Sequence, residues 1–351
     1  MAWLAVCDQN AAWLTPLGGA EELVVRGALV IETRLPELRR LKPLLAASAV
    51  GDWPMSFALQ ALPGGGLSLI LDLCGEVVNH VIDCADSGRA DVLRITYAWD
   101  APARSGWLAI ERPGRDQITL LPCPNPRPMH HDHIAALIGP GPDRYLSPEV
   151  LFAAASDAVE PVGPQPALTP GIPIATPDGA RRAGDLRRGD LVLTAEGTAV
   201  PVLHAISRIV PGRGTFSPVC LRAPYFGLRQ DIAVASTQKL LIDGSEVEYL
   251  FGRETVRLQA GHLLGSPQVQ PVRAGWLVPY VQLVLPDQET LIAAGCPVES
   301  LNIGRIRRKP ALLGASILAD LDRASLPEHA TPASPVLHAF DAIVLAEHRA
   351  A

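Results

Sequence analysis

The chain has 351 residues, 48% of them apolar, with 30 Lys and Arg against 36 Asp and Glu for a formal net charge of -6. That length suggests about two domains, each able to bury a core of its own. The acidic balance argues against a nucleic-acid-binding surface, and no apolar run reaches the ~20 residues needed to span a bilayer. The basic run Arg305 to Lys309 reads as solvated surface.

Six cysteines, at positions 7, 74, 84, 123, 220 and 296, are scattered without close pairs. They fit neither a zinc site nor a disulfide framework and read as buried, reduced thiols. The segment Met1 to Asp8 lacks a basic n-region, and Asp8 interrupts it before a signal core can develop. A cytoplasmic location is the default expectation, with non-classical or C-terminally directed secretion as the alternative.

From Glu22 to Leu121 short extended runs alternate with turns. Leu23 to Thr33 is rich in strand formers. Pro54 to Leu62 and Leu67 to Leu73 flank the triplet Gly64-Gly65-Gly66 as a hairpin would. Val92 to Asp100, Gly106 to Glu111 and Gln117 to Leu121 continue the pattern. Such regularly spaced strands predict an antiparallel β-sandwich. Ile95 to Asp100 with Trp107 to Ile110 also resembles paired strands of concanavalin-like sandwiches. In that setting Trp99 and Trp107 would be candidates to stack on a glycan, although large aromatics more often fill cores.

Met129-His130-His131-Asp132-His133 is the densest set of metal-capable side chains. Adjacent residues rarely converge on one ion without a distant fourth ligand, so the expectation is no metal. Asp132 instead reads as the cap of a short helix through Ile138, with exposed histidines. Ser147-Pro148-Glu149 reads as the opening of a second helix to Ala158. Pro161, Pro164, Pro166 and Pro170 then mark a stiff linker. The expected division is 1–160, 161–304 and a C-terminal extension 305–351.

After the linker, Ala167-Leu168-Thr169-Pro170-Gly171 leads through Ile174 to Gly179 and on to Gly184-Asp185-Leu186-Arg187-Arg188-Gly189-Asp190. Pro201 to Ile206, Asp231 to Gly244, Val256 to Leu263 and Val281 to Ser300 follow. In this order the blocks resemble the Hint (Hedgehog/intein) domain, in the bacterial branch that typically opens Cys-Phe-Thr-Pro-Gly-Thr. The resemblance covers about Gln165 to Gly304 and implies an all-β domain there, so the whole chain reads as mostly β, with short helices at the linker and C-terminus.

It also implies a chemistry: the first side chain attacks the preceding carbonyl, assisted by a Thr/Ser-x-x-His block. Here the nucleophile position is Ala167, whose methyl cannot attack. The Ser/Thr-x-x-His block reads Ser236-Thr237-Gln238-Lys239, and a lysine at neutral pH is a poor acid–base group. The histidine of the closing strands is Gln288. Thr169, Cys296 and His262 are the possible substitutes. A Ser236–Lys239 dyad would need a helix where the blocks read as strands.

No asparagine followed by a nucleophile closes the region. Beyond it, Ala311 to Leu321 reads as a helix, and the tail is expected to pack on the Hint core or the sandwich. The leading expectation is an inactive relic of a self-cleaving domain, a pseudoenzyme serving as a structural or interaction module. Its partner would be a protein or a glycan, with no cofactor. An active autoprocessing protein with a non-standard nucleophile and a secreted glycan-binding protein are the alternatives.

Overall fold

The computed structural model describes residues 3–15, 22–34, 41–83, 92–115 and 117–350, so Cys84 lies outside the described residues. The chain divides into two compact units, Met1–Val162 and Gly163–Ala351.

The first unit is a sandwich of two antiparallel sheets. One runs Ile118–Pro122, Ser105–Glu111, Val92–Asp100, Arg26–Arg34, Val150–Ser156, Trp3–Cys7, Ala12–Leu14 in spatial order. The other runs Arg144–Leu146, Lys42–Ala49, Met55–Ala61, Gly66–Leu73, Glu76–Asp83. Alternate residues of the facing strands, such as Leu29 and Ile31 on one side and Phe57, Leu59, Leu69 and Leu71 on the other, share one core. Gly64 and Gly65, at φ 88° and 99°, turn the Met55–Ala61 strand back onto Gly66–Leu73, with Ala61 opposite Leu67.

Several local expectations change. The run from Leu23 is two strands broken at Val25, with Leu23–Val24 pairing Met129–His130 instead of the main sheet. The segment expected as a helix from Ser147 to Ala158 is the strand Val150–Ser156, flanked on both sides in the larger sheet. Its apolar run is buried on both faces, and two-sided burial outweighs alanine's helix preference. Asp132 does not cap the helix His131–Ile138. The N-cap is His130, and His130 and His133 are buried, not exposed. Trp99 is fully buried and donates its indole N–H to the Val24 carbonyl at 2.9 Å, so it presents no ring face to a sugar. Cys7, Cys123 and Cys296 are buried as expected, whereas Cys74 is exposed.

The second unit is also mostly β, with the helix Ser245–Phe251 inside it. A six-stranded sheet runs Gly179–Arg182, Pro173–Thr176, Thr290–Ala293, Cys296–Glu299, Lys239–Asp243, Thr255–Gln259. Beside it lie the pair His204–Pro211 with Leu277–Val284 and the three strands Ile232–Ala235, Pro218–Leu221, Val269–Pro271. One core reaches from Leu168 to Ala342, Leu345 and Ala346 of the terminal helix Ala339–Ala350, so the tail is part of it. The helix expected over Ala311 to Leu321 stops at Gly314, and Leu313 and Leu318 instead pack with Ile206, Val284 and Leu301 in a smaller cluster. Among the described residues no helix is long and apolar enough to cross a membrane.

Candidate functional site

The site is built around the backbone of Ala167 to Thr169. Leu168 bridges Val281 on one side and Val234 on the other. Its N–H and carbonyl exchange bonds with Val281 at 3.1 and 2.8 Å, and the Ala167 carbonyl accepts from the Ala235 N–H at 2.7 Å. The segment is therefore held as one short strand between Ile232–Ala235 and Leu277–Val284. Ala167 is 6% exposed.

The Ala167 N–H points at a carboxamide, donating to Gln282 Oε1 at 3.4 Å. Gln282 Nε2 donates to the Glu299 carbonyl at 2.7 Å and to Gln238 Oε1 at 3.3 Å. Gln238 Nε2 in turn donates to the carbonyls of Glu299 and Lys239, at 3.0 and 2.9 Å. Both glutamines are buried, so each polar atom must find a partner inside the protein, and each does. Gln238 belongs to the turn between Ile232–Ala235 and Lys239–Asp243, where its N–H bonds the Ala235 carbonyl. A second turn, Ala260–Leu263, lies on top, with the Gly261 N–H on the Ser236 carbonyl at 2.7 Å. A Cβ on Gly261 would come within 2.8 Å of Ser236 Cβ, so glycine allows this approach.

Charge is concentrated one layer away. The Glu299 carboxylate takes Arg257 Nη1 at 2.6 Å on one oxygen and Lys239 Nζ at 3.5 Å on the other. Arg257 also donates from Nε to the Ser334 carbonyl at 2.9 Å. Pairing both cations to one carboxylate offsets the desolvation of all three groups.

The residues singled out from the sequence occupy different places. Lys239 is committed to Glu299. Ser236 donates its hydroxyl to the Thr215 carbonyl at 2.8 Å, and Thr169 donates to Ala233 at 2.7 Å. Cys296 is fully buried in the strand Cys296–Glu299, and burial pushes its thiol up to about 12, which leaves almost no thiolate near neutral pH. Gln288 bonds the Ser300 carbonyl at 3.4 Å, one residue beyond Glu299. His262 is half-buried in the turn over Ser236. Gln282, Gln238 and Arg257 were not anticipated as site residues. The signal for Gln282 was a single carboxamide in the apolar run Val278 to Leu285.

Elsewhere, Arg307 and Arg308 of the basic run both pair with Glu328, at 2.6 and 2.5 Å. No group of three or more His, Cys, Asp or Glu among the described residues is arranged to hold a metal ion.

The second unit is thus a mostly β domain with one short strand held between two others, its first amide bonded by Gln282 of the neighbouring strand. Residues 166–305 match the sequence profile of the Hint domain, so the chain carries a Hint domain over that segment. Two structures of the MchDnaB-1 intein are similar at 17% and 18% identity, covering 38% of this chain and 99% and 98% of the intein, with TM-scores of 0.28 and 0.25. A SAP-like pentraxin of Limulus polyphemus is similar at 15% identity, covering 38% of this chain and 52% of that chain, with a TM-score of 0.21. No curated protein matches the sequence.

Proposed function

We propose that the Hint domain of this protein does not cleave itself and serves as a structural or interaction module. The observation that carries this reading is the amide of Ala167. Self-cleavage requires a nucleophile on that residue and a proton donor for the departing nitrogen. The side chain is a methyl, and the group facing the nitrogen is a carboxamide oxygen that accepts a proton bond and cannot supply one. The nearby hydroxyls of Thr169 and Ser236 are spent on backbone carbonyls, and Cys296 is buried with its proton held. What the site does well is hold the peptide: both faces of the strand and its first N–H are bonded.

Intact mass spectrometry of the purified full chain over a day, with and without dithiothreitol and hydroxylamine, tests the proposal. One species of unchanged mass in all conditions is expected. A fragment boundary between Pro166 and Ala167 would overturn it, and Thr169→Ala and Cys296→Ala variants would then locate the nucleophile.

A further inference from the structure

In the first unit, three rings join the start of helix His131–Ile138 to the turn before strand Met55–Ala61. Trp53 stacks on His130 with centroids 5.0 Å apart and planes at 28°. His130 meets His133 edge-on at 5.3 Å. His133 is buried and uses both ring nitrogens. Its Nδ1 accepts the backbone N–H of His130 at 3.2 Å, and its Nε2 lies 2.8 Å from the Trp53 carbonyl. An acceptor at Nδ1 and a donor at Nε2 define a neutral ring with its proton on Nε2. A second proton would turn Nδ1 into a donor facing the His130 N–H, leaving a buried amide without an acceptor.

We propose that His133 is a pH-operated latch. Neutral, it fastens the Trp53 turn to the beginning of the helix; protonated, it lets the turn go and uncovers the buried His130 ring on which the exposed Trp53 stacks.

The surroundings favour the closed form at neutral pH. Burial lowers the proton affinity of His133 first, and His130 adds to this, while the Trp53 carbonyl and Asp132 act the other way. Asp52 precedes Trp53 in the turn, and Glu22 lends its carbonyl to the His131 N–H at 3.2 Å. Of the strands packed on the helix, Lys42–Ala49 brings Lys42, which is held by Glu149. Trp3–Cys7 brings Cys7, which accepts from Arg144 at 3.4 Å, and Val150–Ser156 brings no ionisable group. Arg144 also reaches the Ile138 carbonyl at the far end of the helix. The latch therefore holds at neutral pH and opens on acidification, at a pH below the ordinary histidine value of 6.5.

The test is side-chain and amide NMR of the full chain from about pH 8 to about pH 5, the interval in which imidazoles titrate. His133→Gln is the control: its carboxamide can accept from His130 and donate to Trp53 but cannot titrate. In the wild type, exchange of the His130 amide, corrected for its intrinsic pH dependence, should accelerate about tenfold as the His133 ring protonates, the factor that one lost hydrogen bond corresponds to. Trp53 resonances should move with it, and the variant should show neither change. A His133 ring that gains its proton with His130 and Trp53 unmoved would sink the proposal. So would a ring that stays neutral until global unfolding, or an identical acid response in His133→Gln. Should that variant not fold, the wild-type titration decides alone.

Discussion

One added sulfur atom at Ala167 would supply a thiol, and the proposal that the domain does not cleave itself rests on what surrounds that position. The amide nitrogen faces the Gln282 oxygen, and the block lysine is held by Glu299. Ala167→Cys alone should therefore leave the chain uncut, measured as intact mass after a day at neutral pH with hydroxylamine. Rapid cleavage would show that the scaffold retains a working acid–base apparatus. Gln282→Ala should be destabilising, because it strips an acceptor from Ala167 and donors from Glu299 and Gln238. A loss of about 1–3 kcal/mol is expected in urea denaturation, the usual penalty for orphaning buried polar groups. Cys296 belongs at the same scale. With a thiol held near 12 in a buried strand, it should resist a thiol reagent that labels exposed Cys74 at once, and react only on unfolding.

At the level of elements, the two turns over the site depend on Gly261. Gly261→Ala would drive a methyl against Ser236 Cβ and, at 2.9 Å, its carbonyl oxygen, neither of which can swing aside. A cost of about 1–3 kcal/mol is expected from such overpacking, read as a lower denaturant midpoint. Strand identity in both units was largely legible, because alternation in stretches such as Met55–Ala61 encodes one buried face directly. It failed at Val150–Ser156, where burial on both faces removes the alternation and leaves a composition that a helix would also accept. The helix His131–Ile138 was legible, but its cap was not. Choosing between His130 and Asp132 depends on where the preceding strand Met129–His130 pairs, which is tertiary information. The Hint blocks were recognisable from their order, whereas the glutamine pair at their centre was not. Gln238 and Gln282 lie 44 residues apart and meet only once the strands that carry them are placed.

At the scale of the whole molecule, four histidines pull the pH response in one direction. His80, His133, His204 and His329 all have their proton affinities lowered, chiefly by burial. For such groups the unfolded chain binds protons more readily than the folded one, so acid favours unfolding. Their contribution is complete above the ordinary histidine value of 6.5 and declines as the pH falls through it towards the lowered folded values. The denaturation midpoint should therefore fall between neutral pH and about pH 5, the span of imidazole titration, and His329→Gln should flatten part of that slope. A midpoint that rises on acidification would contradict the assignment.

The tail has a bearing on how the second unit comes into being. The residues matching the Hint profile end at 305, but the edge strand Thr255–Gln259 is joined by Val336, with the Arg257 N–H on the Pro335 carbonyl and the Leu337 N–H on Arg257. Ala342, Leu345 and Ala346 then complete a core that begins at Leu168. During synthesis, which runs from the N-terminus, this core stays open until almost all of the given sequence has been made, while the sandwich ahead of it already has every strand it needs. Loss of residues 332–351 would thus spare the matched segment and still leave its interior unsealed, with Ala260 and Leu263, over which the helix Ala339–Ala350 packs, newly offered to water or to another chain.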